Sequence, residues 1–206
     1  MKYFNTAGPV RPEDHYTLDI LGRIDLEEIL MLIEQKKYFI MHAPRQTGKT
    51  SSLLALRDYL NNQGKYYCVY VNVEDAQAAR ENVDEGIKII VRRLNREINN
   101  NHPNLKKLYP FNNETIEKLS GYSGLGYILN EISLKLDRPL ILFIDEIDSL
   151  VGDTLISVLR QLRSGYTDRP RAFPQTVVLC GVRDVQDYRI HSSKEKTIIT
   201  GGSAFN

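Results

Sequence analysis

Eight consecutive residues, Ala43-Pro44-Arg45-Gln46-Thr47-Gly48-Lys49-Thr50, have the types and spacing of a phosphate cradle: the pattern G-x-x-x-x-G-K-[ST] with alanine at its first position. In such a loop, successive backbone N–H groups turn inward onto phosphate oxygens, and the helix that follows aims the positive end of its dipole at the same anions. Gly48 lets the backbone approach the ligand closely, Lys49 neutralises the β and γ phosphates, and Thr50 offers its hydroxyl to Mg2+, with Ser51 opening the helix behind it. Ala43 carries only a methyl, so the first turn survives provided its φ is negative. The expected ligand is a nucleoside triphosphate with Mg2+, ATP before the others.

A second constellation is the apolar run Leu140-Ile141-Leu142-Phe143-Ile144 ending in Asp145-Glu146. At a strand tip, Asp145 can hold Mg2+ directly or through water, next to Thr50 on what is expected to be the neighbouring strand. Glu146, one residue on, can orient or deprotonate a water that attacks the γ-phosphate. Asp145, Glu146 and Asp148 would also suit a helix N-terminus. Their pairing with the phosphate loop favours the metal-and-water role.

Both constellations need strands that end where the chemistry begins. Tyr38 to His42 is a short, mostly apolar run stopping at Ala43-Pro44, as a buried strand would. From Ser51, Leu53, Leu56 and Leu60 share a helical face, with Gly64 as the stop. Tyr66 to Val73 is a second strand. Val83, Ile87, Ile90, Val91, Leu94 and Ile98 form a helical stripe. Residues 104–122 predict loop with one short helix. Leu125, Ile128, Leu129, Ile132 and Leu136 restore a helix before the apolar strand at Leu140; Thr154 to Leu162 is helical, and Thr176 to Cys180 is a further buried strand. Ahead of them all, Asp25 with Glu28 resembles a capping box leading into Leu26, Ile29, Leu30 and Ile33. Alternating strands and helices predict an α/β fold of three αβα layers around a mainly parallel sheet, with ligands beyond the C-terminal strand edge. Residues 1–24 form an arm and linker, and residues 25–206 the core.

With 206 residues, 42% of them hydrophobic, the chain suits one α/β domain. Its 27 Lys and Arg against 26 Asp and Glu leave a net charge of +1, giving no global pull toward nucleic acid or anionic lipid. Arg92, Arg93 and Arg96, and again Arg160, Arg163, Arg169 and Arg171, are grouped without aromatic interleaving, so a nucleic-acid surface is not indicated. Cys68 and Cys180 lie in apolar runs and read as core residues of a reducing compartment. His15, His42, His102 and His191 lack metal-ligand spacing. No stretch has the length of a membrane span, and a cytoplasmic protein is expected.

On the loop Pro44-Arg45-Gln46-Thr47-Gly48-Lys49-Thr50 and the strand ending Asp145-Glu146, the chain resembles P-loop ATPases of the AAA+ and STAND group, particularly bacterial AAA-like ATPase domains. The resemblance implies Mg-dependent ATP hydrolysis with Lys49, Glu146 and a γ-phosphate sensor as the catalytic set. Arg183, after the fourth strand, is the sensor candidate. It further implies that Gly22 and Arg23, and also His15-Tyr16, lie beside the adenine. A fifth strand and helical lid are expected in such domains, and the chain to Asn206 reads as a core lacking them. A homo-oligomer or a protein partner is a further expectation of the resemblance. Two alternatives stay open: a nucleotide-gated switch or assembly module with little turnover, and a small-molecule kinase using the same loop.

Overall fold

In the computed structural model, which describes residues 1–6, 8–44, 46–102, 105 and 112–182, four strands pair in the order β1-β4-β3-β2, every pair parallel. They are β1 (Phe39–His42), β2 (Tyr67–Asn72), β3 (Leu140–Asp145) and β4 (Thr176–Gly181). The helices are α1 (Leu26–Glu34), α2 (Lys49–Asn62), α3 (Val83–Asn101), α4 (Asn113–Glu117), α5 (Gly124–Lys135) and α6 (Gly152–Ser164). The fold is thus the predicted α/β sandwich, but the strands carrying the loop and the Asp-Glu pair are not neighbours as expected. β4 is inserted between β1 and β3, so Asp145 reaches Thr50 across β4's end.

Side-chain alternation along each strand sorts the core into two faces. Val69, Val71, Leu142, Ile144, Val177 and Leu179 pack with α3, α5 and α6. Cys68, Tyr70, Ile141, Phe143, Val178 and Cys180 pack with α1 and α2, meeting Ile29, Ile33, Leu53, Leu56 and Leu60. Each fully buried leucine of α2 contributes roughly 1.5–3 kcal/mol of transfer free energy. Asp145, two residues beyond Phe143, inherits the α1/α2 face, which points its carboxylate at the first turn of α2.

Local signals set the element ends. The Asp25 carboxylate accepts from Glu28 N (3.0 Å) and caps α1, while Asn82 Oδ1 accepts from Glu85 N (3.2 Å) and caps α3. Gly64, at φ 70°, supplies the left-handed residue just past α2. Within the predicted loop of residues 104–122, the described residues include the short helix α4, capped by Asn112 through Thr115 N (2.9 Å). Before α1, a 3-10 turn spans Leu21–Arg23, and the arm ahead of it folds on itself through a bridge between Tyr3 and His15. Among the described residues no helix is long and apolar enough to cross a membrane.

Candidate functional site

β1 delivers the chain to the loop, and Ala43 N extends the ladder by donating to Gly181 O (3.4 Å). Ala43 is not among the residues with positive φ; among the described residues of the loop the left-handed positions are Gln46 (φ 61°) and Gly48 (φ 86°). Alanine in place of the pattern's first glycine is therefore sterically neutral, whereas Gly48 occupies the region that favours glycine. Gly48 is also the N-cap of α2, so the unpaired N–H groups of that helix face the loop.

Lys49 does not project into solvent. Its Nζ donates to Ala43 O (2.7 Å) and Pro44 O (2.9 Å), and Thr47 Oγ1 also donates to Pro44 O (2.8 Å). The ammonium thus sits inside the curl of the loop, held by carbonyls at its entrance. Arg23 lies over the loop's end: its Nη2 donates to Thr47 O (3.3 Å), and its Nη1 would stand 3.3 Å from a Cβ on Gly48. Gly22 precedes it in the 3-10 turn, close against the Asp19 carboxylate. Beside Arg23 opens a cleft of about 640 Å3 between α1, β1 and the loop, lined by Ile24, Glu28, Ala43, Thr47 and Lys49 among others. That volume falls within the range of small-molecule sites.

On the loop's other flank, Thr50 Oγ1 donates to Asp145 Oδ2 (2.8 Å). Asp145 is fully buried, and its charge is met by further donors: the Tyr70 hydroxyl on Oδ2 (2.8 Å) and Glu146 N on Oδ1 (3.0 Å). The Cys180 thiol faces the same carboxylate, and burial followed by the charge of Asp145 pushes its pKa well up. Burial first and Asp145 second likewise raise the Tyr70 phenol, which therefore stays a neutral donor.

Glu146 sits at φ 57°, ψ 39°, a left-handed conformation that costs a non-glycine residue roughly 1 kcal/mol or more. Its side chain is partly exposed. Desolvation, then the negative charges of Asp145, Asp148 and Glu74, raise its carboxyl above the usual range, while Lys49 pulls the other way. Asp148 closes the rim: its Oδ2 accepts from Val182 N (3.3 Å) and anchors the end of β4.

The structure brings Ala43, Pro44, Gln46, Thr47, Gly48, Lys49, Thr50, Asp145 and Glu146 around one end of the sheet, with Gly22 and Arg23 at the side. Ser51 is turned elsewhere, its Oγ accepting from Val10 N of the arm (3.0 Å). Arg45 and Arg183 lie outside the described residues. His15 is buried, accepting from Arg11 N (2.9 Å) and packed edge-on to Tyr3, whereas Tyr16 is exposed against Phe4. Of the grouped arginines, Arg92 pairs with Glu85 and Glu117, and Arg169 lies over the rings of Tyr38 and Tyr166. Tyr70 and Cys180 are the neighbours of Asp145 that sequence reasoning missed. Their only signal was a polar group on the same alternating face as Asp145.

Residues 23–172 match the family of the AAA-like domain. In fold, the chain is similar to the Walker-type ATPase of Pyrococcus abyssi, with a TM-score of 0.56 and 18% sequence identity, over 98% of this chain. It spans 56% of that protein's chain, just over half its length. No protein of curated function matches the sequence.

Proposed function

The chain belongs to the AAA-like domain family, which implies nucleotide binding, and we propose that it binds ATP with Mg2+ and hydrolyses it. The observation that carries this is the 2.8 Å hydrogen bond from Thr50 Oγ1, in the first turn after the loop, to the buried Asp145 carboxylate. A hydroxyl and a carboxylate this close are hard oxygen donors that suit Mg2+. Thr50 and Asp145 would hold the ion, whose charge would offset that of the phosphates. Lys49 exchanges the carbonyls of Ala43 and Pro44 for phosphate oxygens, and the N–H groups at the start of α2 hold the same anions. Arg23 borders the cleft that receives the nucleoside. Glu146, carrying a raised pKa, is suited to orient a water and accept its proton. Arg183 is proposed as the sensor of the γ-phosphate.

A nucleotide-gated switch is the second function supported by a specific observation. Lys49 and Thr47 are bonded to the loop's own carbonyls, so phosphate must displace those bonds and the loop has two states to choose between. Slow turnover with strong ADP retention would favour that role, within the cell's cytoplasm and with a protein or homo-oligomeric partner as output.

Titration of ATP and ADP with Mg2+ against the parent and Lys49→Ala, with phosphate release followed in the same samples, tests both. Parent binding at micromolar ligand that Lys49→Ala weakens at least ~100-fold, about 2.7 kcal/mol, is the expected result. Equal binding by both proteins would remove the loop from the mechanism. Release of phosphate that Glu146→Gln abolishes supports the ATPase; binding without release supports the switch.

A further inference from the structure

Given that nucleotide and Mg2+ bind as proposed above, we propose that Tyr70 is a positioning residue for the cation: its hydroxyl holds the Asp145 carboxylate in the orientation that meets the ion. Tyr70 lies in the middle of β2, paired in register with Phe143 of β3, and its ring packs in the core face shared with α1 and α2. Only 7% of it is exposed, so the hydroxyl is fixed by the packing of the ring rather than by solvent. The bond to Asp145 Oδ2, at 2.8 Å, is the end of that rigid arm.

Asp145 is held from three sides. Its Oδ2 accepts from two donors, Thr50 Oγ1 and Tyr70 OH. Thr50 Oγ1 would offer a lone pair to the ion while its O–H can still donate to Oδ2, so that bond would be tied to the ion itself. Of the two hydroxyls on Oδ2, that of Tyr70 is not itself a candidate ligand, and it fixes from outside the plane of a carboxylate that has no exposure to water. Glu146 N holds Oδ1 (3.0 Å), but it belongs to the adjacent residue of a turn that must itself serve the water. Tyr70 comes from another strand and takes no other part in the site. Hydrogen bonds that orient a metal-binding carboxylate typically matter 10–100-fold in metal affinity.

Tyr67 offers a matched comparison. It is on the same strand with its ring on the opposite face, and its hydroxyl accepts from Arg138 Nη2 (2.8 Å), far from the loop. Both Tyr→Phe changes delete one buried hydroxyl from β2, but only one of those hydroxyls touches Asp145.

The experiment titrates Mn2+, in place of Mg2+, into each protein saturated with ADP, reading free Mn2+ by electron paramagnetic resonance. ADP affinity in EDTA and the thermal transition are measured on the same samples. Tyr70→Phe is expected to weaken Mn2+ at least ~10-fold, leaving ADP affinity in EDTA within twofold of the parent and Tyr67→Phe equal to the parent in Mn2+. Mn2+ binding by Tyr70→Phe within twofold of the parent overturns the inference. So does loss of its cooperative thermal transition or of metal-free ADP binding, since the hydroxyl would then be supporting the fold or the loop. Asp145→Asn separates this from the underlying assignment: if it too binds Mn2+ like the parent, the proposed cation site is wrong, whatever Tyr70 does.

Discussion

His102 closes α3, where its N–H donates to Ile98 O (3.0 Å), and two physical effects compete for its proton. A helix C-terminus favours a cation by up to about 2 kcal/mol in partly buried sites. Burial opposes it: the residue is 8% exposed, and Nε2 has no hydrogen-bond partner among the described residues. Burial wins, with Arg57 adding repulsion and Asp58 partly offsetting it, and the pKa falls from 6.5 to about 4. The folded imidazole therefore stays neutral while the unfolded one takes a proton at about pH 6.5, so the unfolded state binds more protons between pH 6.5 and 4 and stability falls with pH across that window. Full development of the shift is worth about 3 kcal/mol, and by pH 5 about 2 kcal/mol is already lost. Domains of this size hold roughly 5–15 kcal/mol, so the loss is measurable. Urea melts of the parent and His102→Leu at pH 7.5, 6.5, 5.5 and 5.0 isolate the effect from the carboxylates common to both. The parent should lose about 2 kcal/mol more than the variant between pH 7.5 and 5.0. Parallel curves, within about 0.5 kcal/mol at every pH, would refute the assignment of a neutral buried imidazole.

The same logic applied to Glu146 gives a pH prediction for turnover. Its raised pKa places the acid limb of kcat/KM above the ordinary carboxylate range, and Asp148→Asn, by removing one of the charges that raise it, should move that limb to lower pH in a phosphate-release profile. An unmoved limb would mean that another group titrates. Gly48→Ala puts a side chain at φ 86° and a Cβ 3.3 Å from Arg23 Nη1. Backbone strain of roughly 1–2 kcal/mol predicts a loss of stability of that size in a denaturant melt, and an unchanged melt would contradict the left-handed assignment. Gly121→Ala should be far more damaging to stability than to binding chemistry, since its Cβ would meet Asp84 N at 2.6 Å and Val83 C at 2.7 Å, backbone atoms that cannot swing aside. Gly121 N also donates to Asp84 Oδ1, and its carbonyl accepts from Ser157 and Gln161. A denaturant-melt loss of at least about 2–3 kcal/mol is expected, and a loss below 1 kcal/mol would contradict the close approach.

What the sequence made legible is local: a phosphate loop declares itself because strand, glycine, lysine and helix start fall within a dozen or so positions, and caps such as Asp25 and Asn82 act over three. Even the departure at Ala43 was decidable in advance as a question about one dihedral, and the left-handed residues proved to be Gln46 and Gly48. Sheet order is not local. That β4 lies between β1 and β3 is a choice made among elements far apart in the chain, and periodicity within a strand carries no information about it. Everything that depends on the order was correspondingly hidden. Cys180 read as an inert core residue because its run is apolar, yet β4's central place sets its thiol against Asp145. Tyr70 lies within the run Tyr66 to Val73 with nothing local to mark it, although the alternation that buries Cys68 and Tyr70 together also faces them to α2 and hence to Thr50. The bond from the Arg23 guanidinium to the Thr47 carbonyl was hidden in the same way, because it arises from the turn before α1 running beside the loop. The chemistry-bearing residues can thus be named from the chain, whereas the groups that orient them come from strands far apart in sequence. Second-layer residues such as Tyr70 are therefore where the structure adds most to function, and a scan confined to sequence motifs would pass over them.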